Sequence, residues 1–274
     1  MKRGSPYALG AIALWATLAS LGVALSHIPA FLLTGLALLI GSIPAWPLVR
    51  QWRVPPATFA LGVCGLFGYH FLLFIGLRNA PPVQANLVNY LWPLLMVVLA
   101  PVWLRGVRLT PAHIVAALVG FAGAAIAIAG GRQLDTGFAW GYLPAAGAAL
   151  IWASYSLLTQ RVARFPTAAI GGFAAVSGLL ALLCHALLEP SVTLSMQDWL
   201  LVALTGLGPL GGAFFLWDAA LKRSDARSIG LLSFLTPLLS TLLLLWLRGE
   251  RPSLSIGLAA VLIVGAALAG TRAR

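Results

Sequence analysis

Charge is what this chain most lacks. Only 8% of its 274 residues are Asp, Glu, Lys or Arg, where water-soluble domains carry about 25%. Hydrophobic residues make up 61% and the mean hydropathy is +0.97, so there are too few ionisable groups to clothe a surface in water. The chain's solvent is mostly lipid. Acidic side chains are scarcest, 6 against 17 basic ones, which leaves a formal charge of +11. A nucleic-acid binder gathers such an excess on one solvated face. Here Lys and Arg come in ones, twos and threes between apolar runs, and no nucleic-acid partner is expected. Cysteine is nearly absent as well. Cys64 and Cys184 each sit inside an apolar run, which argues against a disulfide framework or a zinc site and predicts two inert packing residues.

Apolar runs are what the chain has in abundance. A helix needs about 20 such residues to cross the hydrocarbon. That ruler gives ten spans, starting near Tyr7, Ala30, Ala57, Val83, Pro111, Phe138, Thr167, Trp199, Ile229 and Ser253. Pro or charged residues mark nearly every junction, as at His27-Ile28-Pro29, Arg50 to Pro56, Arg78 to Pro82, Arg105 to Pro111 and Arg248 to Pro252. Such links join antiparallel neighbours and leave no room for a soluble domain, so residues 1–274 read as a single transmembrane domain. Met1-Lys2-Arg3 before an apolar run resembles a cleaved leader, but that run has a copy later in the chain, which a discarded peptide would not need. With the N-terminus inside, four of the 17 basic residues lie on outer segments (Arg78, Arg132, Arg248 and Arg251) and the others, Lys2, Arg272 and Arg274 among them, on inner ones. Such a bias places both termini in the cytoplasm. Asp135, Glu189 and Asp198 fall outside.

The two halves repeat one another. Gly10-Ala11 and Leu14-Trp15-Ala16-Thr17 return as Gly147-Ala148 and Ile151-Trp152-Ala153-Ser154. Tyr90-Leu91-Trp92-Pro93-Leu94-Leu95 returns as Phe234-Leu235-Thr236-Pro237-Leu238-Leu239, and Trp103-Leu104-Arg105-Gly106 as Trp246-Leu247-Arg248-Gly249. Five spans per half is an odd number, so the second copy enters the membrane upside down. The fold class expected is all-α integral membrane, ten transmembrane helices as two inverted five-helix repeats, residues 1–131 and 138–274. That geometry lets the two ends of a bundle exchange roles, which is alternating access.

Polar groups inside lipid are expensive and therefore informative. One broad face of the fourth span carries Asn86, Asn89, Tyr90 and Trp92. Its counterpart in the ninth carries Ser233, Thr236 and Ser240, with Phe234 adjacent. Pro93 and Pro237 fall near the bilayer centre, and each removes a backbone N–H and favours a kink. Matched interruptions of this kind point to a transporter's central site. The third span adds Tyr69 and His70, the latter a candidate for proton coupling. Trp15 and Trp152 lie mid-span, away from the interfaces where Trp is enriched, and Tyr155 shares the Trp152 face. Trp46, Trp52, Trp103, Trp140, Trp199 and Trp246, near span ends, are expected to anchor the interface. Asp218 is expected to pair with Lys222 or Arg223. In the fifth and tenth spans, rows of small residues (Ala116, Ala117, Gly120, Gly123, Ala124, Ala127; Ala259, Ala260, Gly265, Ala266, Ala269) predict close scaffold packing.

Enzymatic chemistry finds no footing. His27, His70, His113 and His185 are scattered, with no carboxylate at metal-ligand spacing, and neither a nucleophile–base arrangement nor a phosphate-binding loop is present. No metal, no cofactor and no ATP are expected, and neither a charge ring nor a carbonyl filter argues for a channel. Rings and amides suit a solute with an apolar body and a small polar head.

Ten spans in two inverted halves, a small-residue helix closing each half, and Pro-Leu-Leu in the fourth and ninth spans resemble the drug/metabolite transporter superfamily over almost the whole chain. Within it, Gly68-Tyr69-His70, Asn89-Tyr90-Leu91-Trp92-Pro93 and Trp152 are similar to the YddG-type aromatic amino acid exporters. The resemblance implies a multi-pass protein of the bacterial inner membrane that exports aromatic amino acids or related amphipathic metabolites through a central cavity. Trp92 has only Thr236 as its repeat partner, so the site is asymmetric. The first, third, fourth, sixth, eighth and ninth spans are expected to line the path, with the lipid bilayer and a small-molecule substrate as partners. An exporter of drugs or other metabolites with the same fold, and a non-transporting membrane module that packs against a partner, stay open as alternatives.

Overall fold

The computed structural model describes residues 3–129 and 137–272. Lys2, Arg132, Asp135 and Arg274, which entered the charge pattern, lie outside the described residues. Everything regular among the described residues is helical. Eight segments are long and apolar enough to cross a membrane: α1 (Ser5–Ala24), α2 (Ala30–Trp52), α3 (Pro56–Arg78), α4 (Pro82–Trp103), α5 (Pro111–Ala129), α7 (Ala169–Leu188), α8 (Met196–Leu221) and α9 (Ala226–Leu247). Two shorter apolar helices join them, α6 (Tyr142–Leu158) and α10 (Leu254–Gly270). The helix α6 starts four residues later than the apolar run suggests, because Phe138 and Trp140 belong to an exposed turn ahead of it. The helix α8 starts three residues earlier than expected. Ser195 and Asp198 form a reciprocal capping box there, which satisfies donors that the first turn leaves free.

Most of these helices are interrupted. In α1 the hydroxyl of Thr17 bonds the Leu14 carbonyl at 2.7 Å where the helix divides. In α2 the last ten residues, with Pro47 inside, tighten to a 3₁₀ helix. Wide π turns occupy Cys64–Gly68 in α3 and Gly208–Gly212 in α8. The helix α4 breaks at Tyr90 and Leu91, and α9 at Phe234. Both breaks come two or three residues ahead of a proline, since Pro93 and Pro237 have no N–H to return to the carbonyls of Asn89 and Ser233. Two turns need φ > 0, at Gly106 (+76°) after α4 and Gly249 (+67°) after α9, a conformation that side chains with a Cβ resist.

The helices α2 and α7 pack along one another, as do α5 and α10; α3 and α4 lie on α6, while α8 and α9 lie on α1. The small residues of α5 are buried, and a Cβ on Gly123 would stand 2.8 Å from Ile263. On α10 the buried row is Ile256, Ala259, Ile263 and Ala266, whereas Gly265 and Ala269 face outward, one helical step off the expected stripe. Trp46, Trp140, Trp199 and Trp246 are exposed, as anchors must be. Trp52 and Trp103 pack inward, Trp52 against Gly172. Nor do the cysteines pack in the core. The π turn buries Gly65 and Leu66 and leaves Cys64 on the outside, and Cys184 is half-buried.

Candidate functional site

Between these helices lies a cavity of about 660 Å³. Its upper wall comes from the second part of α1 and the two residues that follow it (Leu18 to Ser26), from Leu73, Phe74 and Leu77 on α3, and from Pro82 and Asn86 on α4. Its depth is set by Trp15, Tyr69, His70, Asn89, Tyr90, Trp92 and Trp152, joined by Phe214 of α8 and by Thr236 and Ser240 of α9. No residue of α5 or α10 reaches it. The helix α2, which the sequence leaves off the path, contributes Leu33 and Thr34, because its first turns lean against the mouth.

Four indoles form the floor. Trp15, Trp92, Trp152 and Trp217 touch in every pairing, with ring centroids 5.1 to 6.4 Å apart. The first three line the cavity; Trp217 supports them from beneath, fully buried, with its Nε1 donating to Ser156 Oγ at 3.1 Å. Trp15 Nε1 donates to the Pro209 carbonyl in the π turn of α8, at 3.1 Å. Trp152 is the hub, lying 5.4 Å from Tyr69 and 5.6 Å from Phe214. Edge-on and tilted pairs at such spacing each add about 0.5–1.5 kcal/mol beyond burial. The polar groups are held in turn. Asn89 Nδ2 donates to the Tyr69 hydroxyl at 3.2 Å. His70 Nδ1 donates to the Leu66 carbonyl at 2.6 Å, which leaves Nε2 as the ring's acceptor. No Asp, Glu, Lys or Arg lines the space.

Three residues expected at the site lie elsewhere. Tyr155 is buried behind Trp152, its ring 5.3 Å away and packed over Gly65. Ser233 is fully buried with its hydroxyl on the Gly230 carbonyl at 2.5 Å, and Phe234 packs on Gly120 of α5. The break at Phe234 sets that ring against α5 and leaves Ser233 bonded within its own turn, whereas Thr236, beyond it, is among the residues that line the cavity. Pro93 and Pro237 are buried off the wall and act on it through the breaks they enforce. Phe214 and Trp217 were missed. The repeat carried the signal, since Phe214 stands in α8 where His70 stands in α3, and the two rings meet at 6.2 Å.

The model of the EamA-like transporter family matches residues 2–129 and 139–270. The chain belongs to the EamA-like transporter family. It is a multi-pass membrane transporter, and its chemistry is passage, not catalysis. The aromatic amino acid exporter YddG of Ancylobacter novellus is 44% identical over 99% of this chain and 98% of its own. The probable terminal-alkyne amino-acid exporter of Streptantibioticus cattleyicolor is 30% identical over 84% of this chain and 81% of its own. A solved crystal structure superimposes with a TM-score of 0.91 at 43% identity, covering 98% of this chain and 96% of that one.

In this EamA-like transporter the residues lining the cavity run from the indole floor to the ends of α1 and α3 and the starts of α2 and α4, the end toward which it opens. Beneath the indoles, the ends of α6 and α8 are tied together. Gln160 Nε2 donates to the Leu221 carbonyl at 2.7 Å, and Gly4 N to Ser224 Oγ at 2.9 Å. Asp218, expected to pair with a neighbouring cation, accepts from Lys222 Nζ and Thr167 Oγ1, each at 2.6 Å. Lys222 also bonds the Phe165 carbonyl at 2.8 Å and stands 4.1 Å over the Phe165 ring. Beside the opposite, open end, the buried carboxylate of Glu189 accepts from Arg78 and from the free first-turn N–H groups of Phe31 and Leu32 in α2.

Proposed function

We propose that this transporter exports aromatic amino acids, together with related amphipathic metabolites, across a bacterial inner membrane by alternating access. One observation carries the reading: a cavity walled by indole, phenol and phenyl rings, lined by no Asp, Glu, Lys or Arg and floored by packed indoles. Such a wall stacks on an aromatic side chain and makes no net electrostatic demand on a zwitterion, whose charges sum to zero. The name of the Ancylobacter relative agrees with it. Tyr69, His70, Asn86, Asn89, Tyr90, Trp92, Trp152 and Trp15 are the residues we assign to the solute, with Pro93 and Pro237 as hinges.

All ten helices, α6 and α10 included, are read as membrane spans in two inverted five-helix repeats, residues 1–131 and 138–274. Support comes from the packing, which maps onto itself when α1–α5 are exchanged with α6–α10. It comes also from paired irregularities: π turns in α3 and α8, breaks in α4 and α9, left-handed glycines after each of these last two. The family model covers two stretches of nearly equal length. The basic residues then put both termini in the cytoplasm and the cavity mouth outside, the outward-open member of an alternating pair.

Purified protein in liposomes loaded with unlabelled phenylalanine is expected to accumulate labelled phenylalanine by exchange, with tyrosine and tryptophan competing. The second reading is a carrier for amino acids with other side chains, which the name of the Streptantibioticus relative favours. Equal competition by leucine, methionine and phenylalanine would select it. Block by cationic dyes alone would turn the assignment to drug efflux.

A further inference from the structure

The amino acid reading leaves a question of charge. The solute's ammonium enters a space that no carboxylate lines, and without an acceptor there it loses more than ring stacking returns. Asn89 Oδ1 and Thr236 Oγ1 are shut off from that space, and the Tyr69 hydroxyl already accepts from Asn89 Nδ2 at 3.2 Å. An imidazole nitrogen is more basic than any amide or hydroxyl oxygen on the wall, and it accepts when the ring's proton sits on the other nitrogen. The helix α3 fixes that tautomer. Its π turn, Cys64–Gly68, presents the Leu66 carbonyl to His70 Nδ1 at 2.6 Å, which holds the proton on Nδ1 and leaves Nε2 bare. Among the described residues nothing donates to Nε2. Nor does it belong with the unpartnered polar atoms that have lost all contact with open space, so its surface lies on the cavity that His70 lines. Three rings stand around the imidazole, Tyr69 at 5.0 Å, Phe74 at 5.9 Å and Phe214 at 6.2 Å between centroids. Aromatic rings attract a cation within about 6 Å, so a charge bonded to Nε2 is not stranded against a purely aliphatic wall.

We propose that His70 reads the solute's amino group: its Nε2 accepts an N–H of the ammonium, with Tyr69, Phe74 and Phe214 as the aromatic surroundings of the charge. His70 then selects for an N–H donor, which stacking on the indoles does not require. This assignment rests on the export reading above.

The test is competition against labelled phenylalanine uptake in proteoliposomes of the full chain. The competitors are unlabelled phenylalanine, 3-phenylpropionate, which lacks the ammonium, N-methylphenylalanine, which keeps two N–H bonds, and N,N,N-trimethylphenylalanine, which keeps the charge and has no N–H. A hydrogen bond to a charged group is worth roughly a tenfold change in affinity. His70→Phe is expected to narrow the preference for phenylalanine over 3-phenylpropionate about tenfold, with 3-phenylpropionate itself unaffected. His70→Gln, which offers an amide oxygen at similar reach, is expected to retain most of the preference. On the unaltered protein the monomethyl compound should compete like phenylalanine and the trimethyl compound about tenfold less well, a comparison that needs no variant to fold. Saturable phenylalanine uptake with the ratio unmoved in His70→Phe, or with the trimethyl compound competing as well as phenylalanine, overturns the role of His70 and leaves export standing. Absence of saturable phenylalanine uptake by the unaltered protein overturns both.

Discussion

Trp152 carries more of the site than any neighbour, because its indole meets Trp15, Trp92, Trp217, Tyr69, Tyr155 and Phe214 at once. Truncation to Ala would remove a core side chain at about 3–5 kcal/mol and confuse folding with binding, so the informative change is Trp152→Phe. It keeps an apolar ring and reduces the stacking face, and each ring contact is worth about 0.5–1.5 kcal/mol. The expected result is a several-fold rise in KM for phenylalanine and tryptophan exchange, with a melting temperature lowered far less than in Trp152→Ala. Tyr155→Phe, by contrast, is expected to leave KM alone, since that ring only backs Trp152. Tyr155, Ser233 and Phe234 show where sequence reasoning stopped. Period counting places Ser233 and Ser240, seven residues apart, on one face, and that holds only for an unbroken helix. In α9 the phase is reset at Phe234, so Ser240 lines the cavity and Ser233 does not.

Along the helices, span existence was legible because lipid demands long apolar runs and because Pro and Arg mark their ends. The interruptions were legible only where proline causes them. Nothing but glycine spacing marks the π turns at Cys64–Gly68 and Gly208–Gly212, yet the first supplies the Leu66 carbonyl to His70 and the second the Pro209 carbonyl to Trp15. A widened turn shifts the hydrogen-bonding ladder by one residue and frees such groups. The α4 and α9 breaks differ in kind, since they follow from missing N–H groups and are removable by a single change. Pro237→Ala would return a donor for the Ser233 carbonyl and favour a continuous α9. The expected outcome is a melting temperature equal to or above that of the unaltered protein, with kcat for exchange several-fold lower. A lid or hinge residue acts on turnover in this way while lying off the binding surface. Unchanged kcat in a well-folded Pro237→Ala protein would remove the hinge from the mechanism.

A carrier must have two closures of similar strength, and here one is formed and the other open. The formed seal ties α6 to α8 through Gln160 and Leu221 and the start of α1 to the loop after α8 through Gly4 and Ser224. None of these four residues lines the cavity, so they bear on which end is open without bearing on the solute. Each hydrogen bond contributes about 0.5–1.5 kcal/mol, and an equilibrium between two shapes moves by the difference in their free energies. Gln160→Leu with Ser224→Ala is therefore expected to move the balance toward the inward-open shape by about tenfold. Gly22 offers a reporter. It lines the cavity on α1 beyond the indoles, and a Cβ there would meet nothing within 4 Å. With Cys64 and Cys184 changed to Ser, Gly22→Cys should react quickly with a membrane-impermeant maleimide applied from outside. The seal variant should slow that reaction in proportion to the time the mouth spends closed, and saturating phenylalanine should change the rate in both proteins. Fast labelling that ignores both the seal and the solute would mean that the two ends are not coupled, and a pore or a static bundle would then account for the cavity better than a carrier.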